Sequence, residues 1–519
     1  MGARVPPRAR RGRRRSRRAA RRDEATCRGQ PPDVVAAPRV VPPRRRAAPP
    51  GPVPGGPRVR RRPTMMGTVP GTIRSEDTRV FPRFLDLPYP NIERGDGVWL
   101  TTADGRRILD ACSGGAMVSC LGHGVPEVVA AAAEQAAAIS YFYNHHFTSE
   151  PQERLADRLL EVAAPEMARI RFVSGGSEAN ETALQLARLY HVERGETDRW
   201  RVISPAQAYH GSTMGTLALS GRHSLQEPYT PYLADHLHLE PSTWRFDPSG
   251  EAALRQLDAL LDVAGPETIA AFVCEPVSAA ALPGYSPPEA FWRGLDERRK
   301  DHGFLICFDE VVTGMGRAGT WLAAHQLPIQ PDVVAIGKGL GAGYAPLGGV
   351  FCTQEVYDAI DRGSREFDLG HTWDGAPVSS AVGLAVVDLL VARGLVERVR
   401  ERGPRLRDEL EAALEGSEIV REVRGRGFLL GVELVDPRDG SSFLPVEFDV
   451  AALVDDTALE HGLLVTSTHP QADGFAGDQT LIAPAYVSSD DELAEMVGRF
   501  AATIGDVERA IQDSLPRHP

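Results

Sequence analysis

The sequence predicts an α/β fold: a three-layer α/β/α domain followed by a smaller α+β domain. Two observations carry the prediction. From about residue 169 short β-branched runs alternate with longer stretches of helical spacing, the pattern of parallel strands joined by crossover helices. After about residue 385 the texture changes to long helices around a few short strands.

In chain order, "RIRFVS" (169–174) reads as a strand, and a helix runs from Ser177 through "EANETALQLARLYHVERG". "RVISP" (201–205), "TIAAFVCEP" (268–276), "FLICFDE" (304–310), "DVVAIGK" (332–338) and "LGGVFC" (347–352) read as further strands, and "PPEAFWRGLDERRKDHG" has helical spacing. Helices over 394–415, 448–461 and 489–512 flank "REVRGRGFLLGVELV" and two shorter strands. The expected organisation is a head over 1–64, an N-terminal segment over 66–110 packing with the small domain, a large domain over 111–385 and a small domain over 386–519.

The head is arginine-rich. Residues 1–64 hold 20 arginines against Asp23, Glu24 and Asp33, a net of +17 that leaves −29 for the rest of the chain. With abundant proline and no apolar periodicity, such a segment cannot bury enough surface to offset its ordering entropy, so disorder is expected. Met65 or Met66 offers an alternative start where the composition turns normal, so the head is read as not translated natively. The acidic body argues against nucleic acid or anionic lipid as partners. No apolar run is long enough for a membrane span. Six scattered cysteines without a C-x-x-C pair suit a reducing cytoplasm, and no metal site is expected.

Only two lysines, Lys300 and Lys338, occur among 58 basic residues. Lys300 ends a polar helix, where a cation complements the dipole. Lys338, between Gly337 and Gly339 at the end of an apolar strand, has no such explanation. In an open parallel sheet ligands sit beyond the carboxyl ends of the strands. Those ends hold Gly175, Gly176 and Ser177, then Glu275, Asp309 and Lys338. The glycines and serine suit a phosphate at a helix N-terminus, or an ordinary capped turn. Asp309 suits a helix cap or a salt bridge, since a carboxylate there must be paired. Taken together, they match pyridoxal 5′-phosphate, whose phosphate wants a helix N-terminus, whose ring nitrogen wants a carboxylate and whose aldehyde wants a lysine amine. Lys338 would be covalent anchor and proton shuttle, with the small glycines on either side leaving room.

The ordered motifs "LDACSGGAMVSCLGHGVPEV", "FVSGGSEANETALQLAR", "AYHGST", "FVCEPV", "FDEVVTGMGRAGT", "AIGKGLGAGYAPLGG", "GHTWDGAP" and "VRGRGFLLGVEL" resemble those of the class III aminotransferases, pyridoxal-phosphate enzymes of fold type I, over residues 73 to 512. The resemblance implies that Gly176 and Ser177 hold the phosphate, that Tyr209 stacks on the ring with His210 beside it, that Asp309 pairs with the ring nitrogen and that Val311 packs on the opposite face. Thr372 would reach the phosphate of a neighbouring subunit, so at least a homodimer, or a tetramer, is expected.

Two departures stand out, the first bearing on substrate and the second on the cofactor's phenolic oxygen. Leu481 stands where members that clamp an α-carboxylate often have arginine, and Val312 stands where many have glutamine. Glu275, which pairs with that arginine in such members, would find Arg424 or Arg426 or cap its strand. Tyr141, Phe142 and Tyr143 would line an aromatic substrate pocket or belong to the core. The pattern resembles the ω-aminotransferase branch: a ping-pong transfer from an amine, ω-amino acid or amino acid to a keto acid such as pyruvate. A racemase or decarboxylating aminotransferase would need the same groups. A ligand-sensing DNA-binding regulator would need a helix-turn-helix pattern that the head lacks.

Overall fold

The alternation of buried side chains along the strands is what separates the layers. The computed structural model describes residues 71–240, 247–469 and 477–514, so the head over 1–64 and the candidate starts Met65 and Met66 lie outside the described residues. The central sheet has seven strands: β1 (Arg169–Val173), β2 (Arg201–Pro205), β3 (Leu237–Leu239), β4 (Ile269–Cys274), β5 (Leu305–Glu310), β6 (Val333–Ile336) and β7 (Gly348–Cys352). Their order is β1-β7-β6-β5-β4-β2-β3. Every residue of β4, β5 and β6 is buried, which is why these strands read as continuous apolar runs.

Period-2 geometry sends alternate residues to opposite faces. Phe272, Ile306, Phe308 and Val334 join one apolar cluster, together with Phe291, Trp292 and Leu295 of helix α2 (Glu289–His302). Ala271, Val273, Leu305, Cys307 and Val333 join another, with Ala179, Ala183 and Leu186 of helix α1 (Gly176–Glu193). The sheet therefore lies between two helical layers. Helix α2 ends at Gly303 in the left-handed region, with Arg299, Lys300 and His302 in its last turn. There Lys300 is spent on an ion pair with Asp296 at 2.5 Å.

The sequence predicts parallel strands throughout, and here the structure differs: β7 runs antiparallel to both β6 and β1. Only residues 337–347 separate β6 from β7, whereas a parallel return needs a crossover of a dozen residues or more. The short edge strand β3 also goes unannounced, because three residues show no usable alternation.

A second, antiparallel sheet holds β8 (Val420–Arg426), β9 (Leu429–Leu434), β10 (Thr466–Thr468) and β11 (Gln479–Ile482) in the order β8-β9-β11-β10. Helices Leu395–Ala413, Val450–Glu460 and Asp490–Ser514 accompany it. A third sheet joins Ile92–Asp96, Trp99–Thr102 and Arg107–Asp110 to Leu463–Leu464, the last pairing in parallel with Arg107–Asp110. No single described helix is long and apolar enough to cross a membrane.

Candidate active site

Strand register puts the chemistry side by side. Cys274 pairs with Phe308, so Glu275 and Asp309 leave neighbouring strands together, and Glu310 pairs with Ile336, two residues before Lys338. These ends and the first turn of α1 enclose a cavity of about 170 Å³, lined by Gly176, Ser177, Tyr209, His210, Glu275, Asp309, Val311 and Lys338.

Asp309 is 5% exposed, and three groups hold its carboxylate. Asn180 Nδ2 donates to Oδ2 at 2.8 Å, His210 Nδ1 lies 2.8 Å from the same oxygen, and the Val311 N–H donates to Oδ1 at 3.0 Å. Asn180 also donates to the His210 carbonyl at 2.9 Å, tying α1 to the segment after β2. Asn180 is the residue sequence reasoning missed. Its signal was its place four residues after Gly176, on the same face of α1.

At the start of α1 the leading N–H groups have no intrahelical acceptor. A side chain at Gly176 would place its Cβ 2.6 Å from Val311 Cγ1, so close approach requires glycine there, whereas a Cβ at Gly337 would come no nearer than 3.3 Å to the same atom. Ser177 Oγ accepts from the Ser212 N–H at 3.1 Å, and the Tyr209 hydroxyl lies 3.0 Å from Ser212 Oγ.

Lys338 has φ +42°, the left-handed region that a non-glycine residue occupies only at a cost. Burial lowers the pKa of its amine, against the opposing pull of Asp309 and Glu275. Glu275 behaves oppositely: burial first, and Asp309 second, push its carboxyl up to about 7. It accepts from the Ala279 N–H at 3.1 Å and, at 3.5 and 3.4 Å, from the Tyr209 N–H and Ser278 Oγ. Glu275 thus caps its strand end.

Arg424 does not meet it. Its guanidinium pairs with Glu433 Oε2 at 2.9 Å, with Glu422 and with Gln479, and donates to the Pro283 carbonyl at 3.1 Å. Glu433 is 1% exposed, and a carboxylate so buried holds its cation firmly. Arg424 therefore neither pairs with Glu275 nor lines the Lys338 cavity. Arg426 instead reaches Gln326 at 3.4 Å, and Leu481 is buried in an apolar cluster.

Tyr141, Tyr143 and Thr372 also lie elsewhere within the chain. They line a separate cavity of about 470 Å³, where Tyr141 meets Trp373 edge-on at 5.6 Å and Tyr143 stacks on His145 at 4.6 Å. The Arg171–Asp374 ion pair, 3.0 Å, pins that loop to β1, away from Lys338. Among the described residues no cluster of side chains suits a metal ion.

The family model of aminotransferase class-III matches residues 85–504. The chain belongs to the class-III aminotransferase family. An uncharacterised aminotransferase of Bacillus subtilis is 33% identical to it, over 82% of this chain and 98% of its own length. A chloroplastic gamma-aminobutyrate transaminase of Solanum lycopersicum is 32% identical, over 82% and 83%. Among solved structures, a thermostable (S)-enantioselective omega-transaminase from Thermomicrobium roseum superposes with a TM-score of 0.77 at 32% identity, covering 83% of this chain and 96% of its own. This aminotransferase has the α/β fold of fold type I and is an enzyme of the pyridoxal-phosphate-dependent transaminase class.

Proposed function

We propose that this aminotransferase holds pyridoxal 5′-phosphate through Lys338 and moves an amino group from an amine or ω-amino donor to a keto acid such as pyruvate, in a ping-pong cycle. The observation that carries the reading is the convergence of one depressed lysine amine, one buried and oriented carboxylate and one helix N-terminus on a single cavity.

The residues fit the cofactor part by part. The first turn of α1 with Ser177 would take the phosphate, and Gly176 lies so close to Val311 that no side chain could stand there. Asp309, oriented by Asn180 and His210, would hold the proton on the ring nitrogen, with Tyr209 and Val311 against the ring faces. Bound there, pyridoxal phosphate supplies an electron sink for the carbon next to the substrate nitrogen. Lys338 first provides a free amine, then accepts a proton at Nζ and returns it, which its depressed pKa favours. The negative charge of Asp309 stabilises positive charge on the ring throughout.

With Leu481 in place of an arginine and Arg424 spent on Glu433, the described residues offer no cation to clamp an α-carboxylate in this cavity. That supports an amine or ω-amino donor. The working unit is a homodimer with Thr372 serving the partner's site, a reading supported by Thr372 lying outside its own chain's Lys338 cavity. The buried, unpaired Cys112, Cys120, Cys274, Cys307 and Cys352 support a cytoplasmic location.

The direct test is Lys338→Ala. Added pyridoxal phosphate is expected to shift the absorbance of the wild-type chain and not of the variant, and amine-to-pyruvate turnover should vanish. Turnover surviving in the variant would overturn the proposal. Incubation with one L-amino acid and no keto acid should stop after a half-reaction, whereas a racemase would form the D-enantiomer.

A further inference from the structure

Backbone strain gathers around the Lys338 turn. Among the described residues seven non-glycine positions have φ in the left-handed region, and five of them, Ser113, Met117, Met315, Lys338 and Ala342, lie on three turns that pack together. A Cβ at Gly339 would stand 3.3 Å from Met315 Cβ, and Cys120 Sγ donates to the Gly339 carbonyl at 3.5 Å. Strain of this kind persists only where the surroundings over-determine it.

Arg317, two residues after Met315, supplies that restraint. It is 1% exposed. Its Nη1 donates to the carbonyls of Phe428 at 3.1 Å and Pro484 at 2.5 Å, its Nη2 donates to Ser113 Oγ at 2.9 Å, and the Phe428 N–H donates back to the Arg317 carbonyl at 3.0 Å. One side chain thus ties the loop after β5 to the second sheet and to the strained turn at Ser113. Its guanidinium also lies 4.7 Å from the centre of the Tyr486 ring, while Nε is buried with no partner.

Among the described residues no carboxylate pairs with Arg317. The groups near it are Asp110, Cys112, Cys120 and Tyr486. Asp110 spends its oxygens on the Cys112 and Gly114 N–H groups, and burial keeps the phenol and both thiols neutral, pushing Cys112 up to about 12 and Cys120 up to about 11. A buried cation without a counter-ion is costly, and neutral acceptors could be bridged by a neutral donor at less cost. The charge itself therefore has a use. Lys338 faces Asp309 and Glu275, which favour its ammonium form, together with His210, Tyr209, Cys112 and Arg317, and of these Arg317 is the cation that opposes the two carboxylates.

We propose that Arg317 is a positioning residue for Lys338: its fork fixes the strained turns that hold the lysine at the cavity, and its unanswered positive charge repels a proton from the lysine amine. This rests on the reading of Lys338 as the reactive amine and adds a residue to it.

The test uses the scarcity of lysine. Because Lys300 and Lys338 are the only lysines of the chain, trace acetylation with acetic anhydride, read peptide by peptide in a mass spectrometer, follows each amine separately. On the full chain kept free of pyridoxal phosphate, from about pH 6 to about pH 11, Lys338 should become reactive at lower pH than Lys300. Arg317→Met, which removes the charge, should raise the Lys338 midpoint by at least about half a unit and leave Lys300 where it is. Arg317→Lys, which keeps the charge and loses the fork, should hold the Lys338 midpoint at its wild-type value, while with cofactor its kcat falls about tenfold or more and KM for the donor changes little. An unmoved Lys338 midpoint in a folded Arg317→Met chain, an equal shift in both variants, or wild-type kcat in Arg317→Lys would overturn the proposal. Should Arg317→Met fail to fold, Arg317→Lys decides alone: a lowered kcat with the midpoint kept supports the proposal, and a displaced midpoint overturns it. Turnover surviving in Lys338→Ala would instead remove the transaminase reading and leave the labelling result standing.

Discussion

At Asp309 three donors converge on one buried carboxylate, and the consequence is a charge held in place before any ligand arrives. Asp309→Asn keeps the shape and loses the charge, and it turns one acceptor into a donor that faces the Asn180 amide. Turnover should fall by about 10²-fold or more, with a loss of folding stability of about 1–3 kcal/mol, measured by steady-state kinetics and urea unfolding. Glu275 makes a prediction of opposite sign to an ordinary surface carboxylate. Its folded pKa of about 7 lies above its usual 4.5, so between those values the folded chain binds the extra proton. The stability from this group is present below the unfolded pKa and is lost as pH rises through about 7. The shift corresponds to roughly 3 kcal/mol at most. Unfolding the cofactor-free chain at about pH 5 and about pH 8.5 should show Glu275→Gln gaining on wild type at the higher pH. Equal pH dependence in the two proteins would contradict that burial.

Strand β5 positions Asp309 only as well as its own packing allows. Phe308, the preceding residue, is 1% exposed and meets Trp292 of α2 edge-on at 5.6 Å. Phe308→Ala should cost about 3–5 kcal/mol, seen as a lower urea midpoint, and should weaken pyridoxal phosphate binding through the loosened strand end. At this scale much of the fold was legible. The runs at 268–276, 304–310 and 332–338 are continuous and apolar because both faces of β4, β5 and β6 are covered, and burial of that kind leaves its mark on composition. The direction of β7 was less visible, because direction follows from the short connection over 337–347 and not from the residues of the strand. Asn180 lay on a readable helix face, but a polar residue on the cofactor side of α1 looks like any solvated position until Asp309 is seen opposite it.

For the molecule as a whole, the separation of two cavities within one chain sets the prediction. Lys338 lines one and Thr372 the other. In a homodimer whose sites draw one residue from each subunit, Lys338→Ala and Thr372→Ala chains fail for different reasons. Mixed in equal amounts after subunit exchange, half of the dimers should be hybrids, each with one intact site, so about a quarter of the wild-type site number should return. Activity assays before and after exchange check this, with sedimentation giving the oligomeric state. No recovery with demonstrated exchange would place Thr372 outside the partner's site.

The sequence by itself determined the α/β class, most strands of the central sheet, and the set Gly176, Ser177, Asp309 and Lys338 at their ends, because periodicity and strand-end chemistry are local properties of the chain. Tertiary structure alone decided that Arg424 answers to Glu433 and not to Glu275, that Tyr141 and Tyr143 stand apart from Lys338, and that Arg317 is buried beside Ser113 and Tyr486 with no carboxylate paired to it among the described residues. Those outcomes depend on which buried charges and amides find partners across strands and loops far apart in sequence. Pairing of that kind is settled by packing, and no local pattern encodes it.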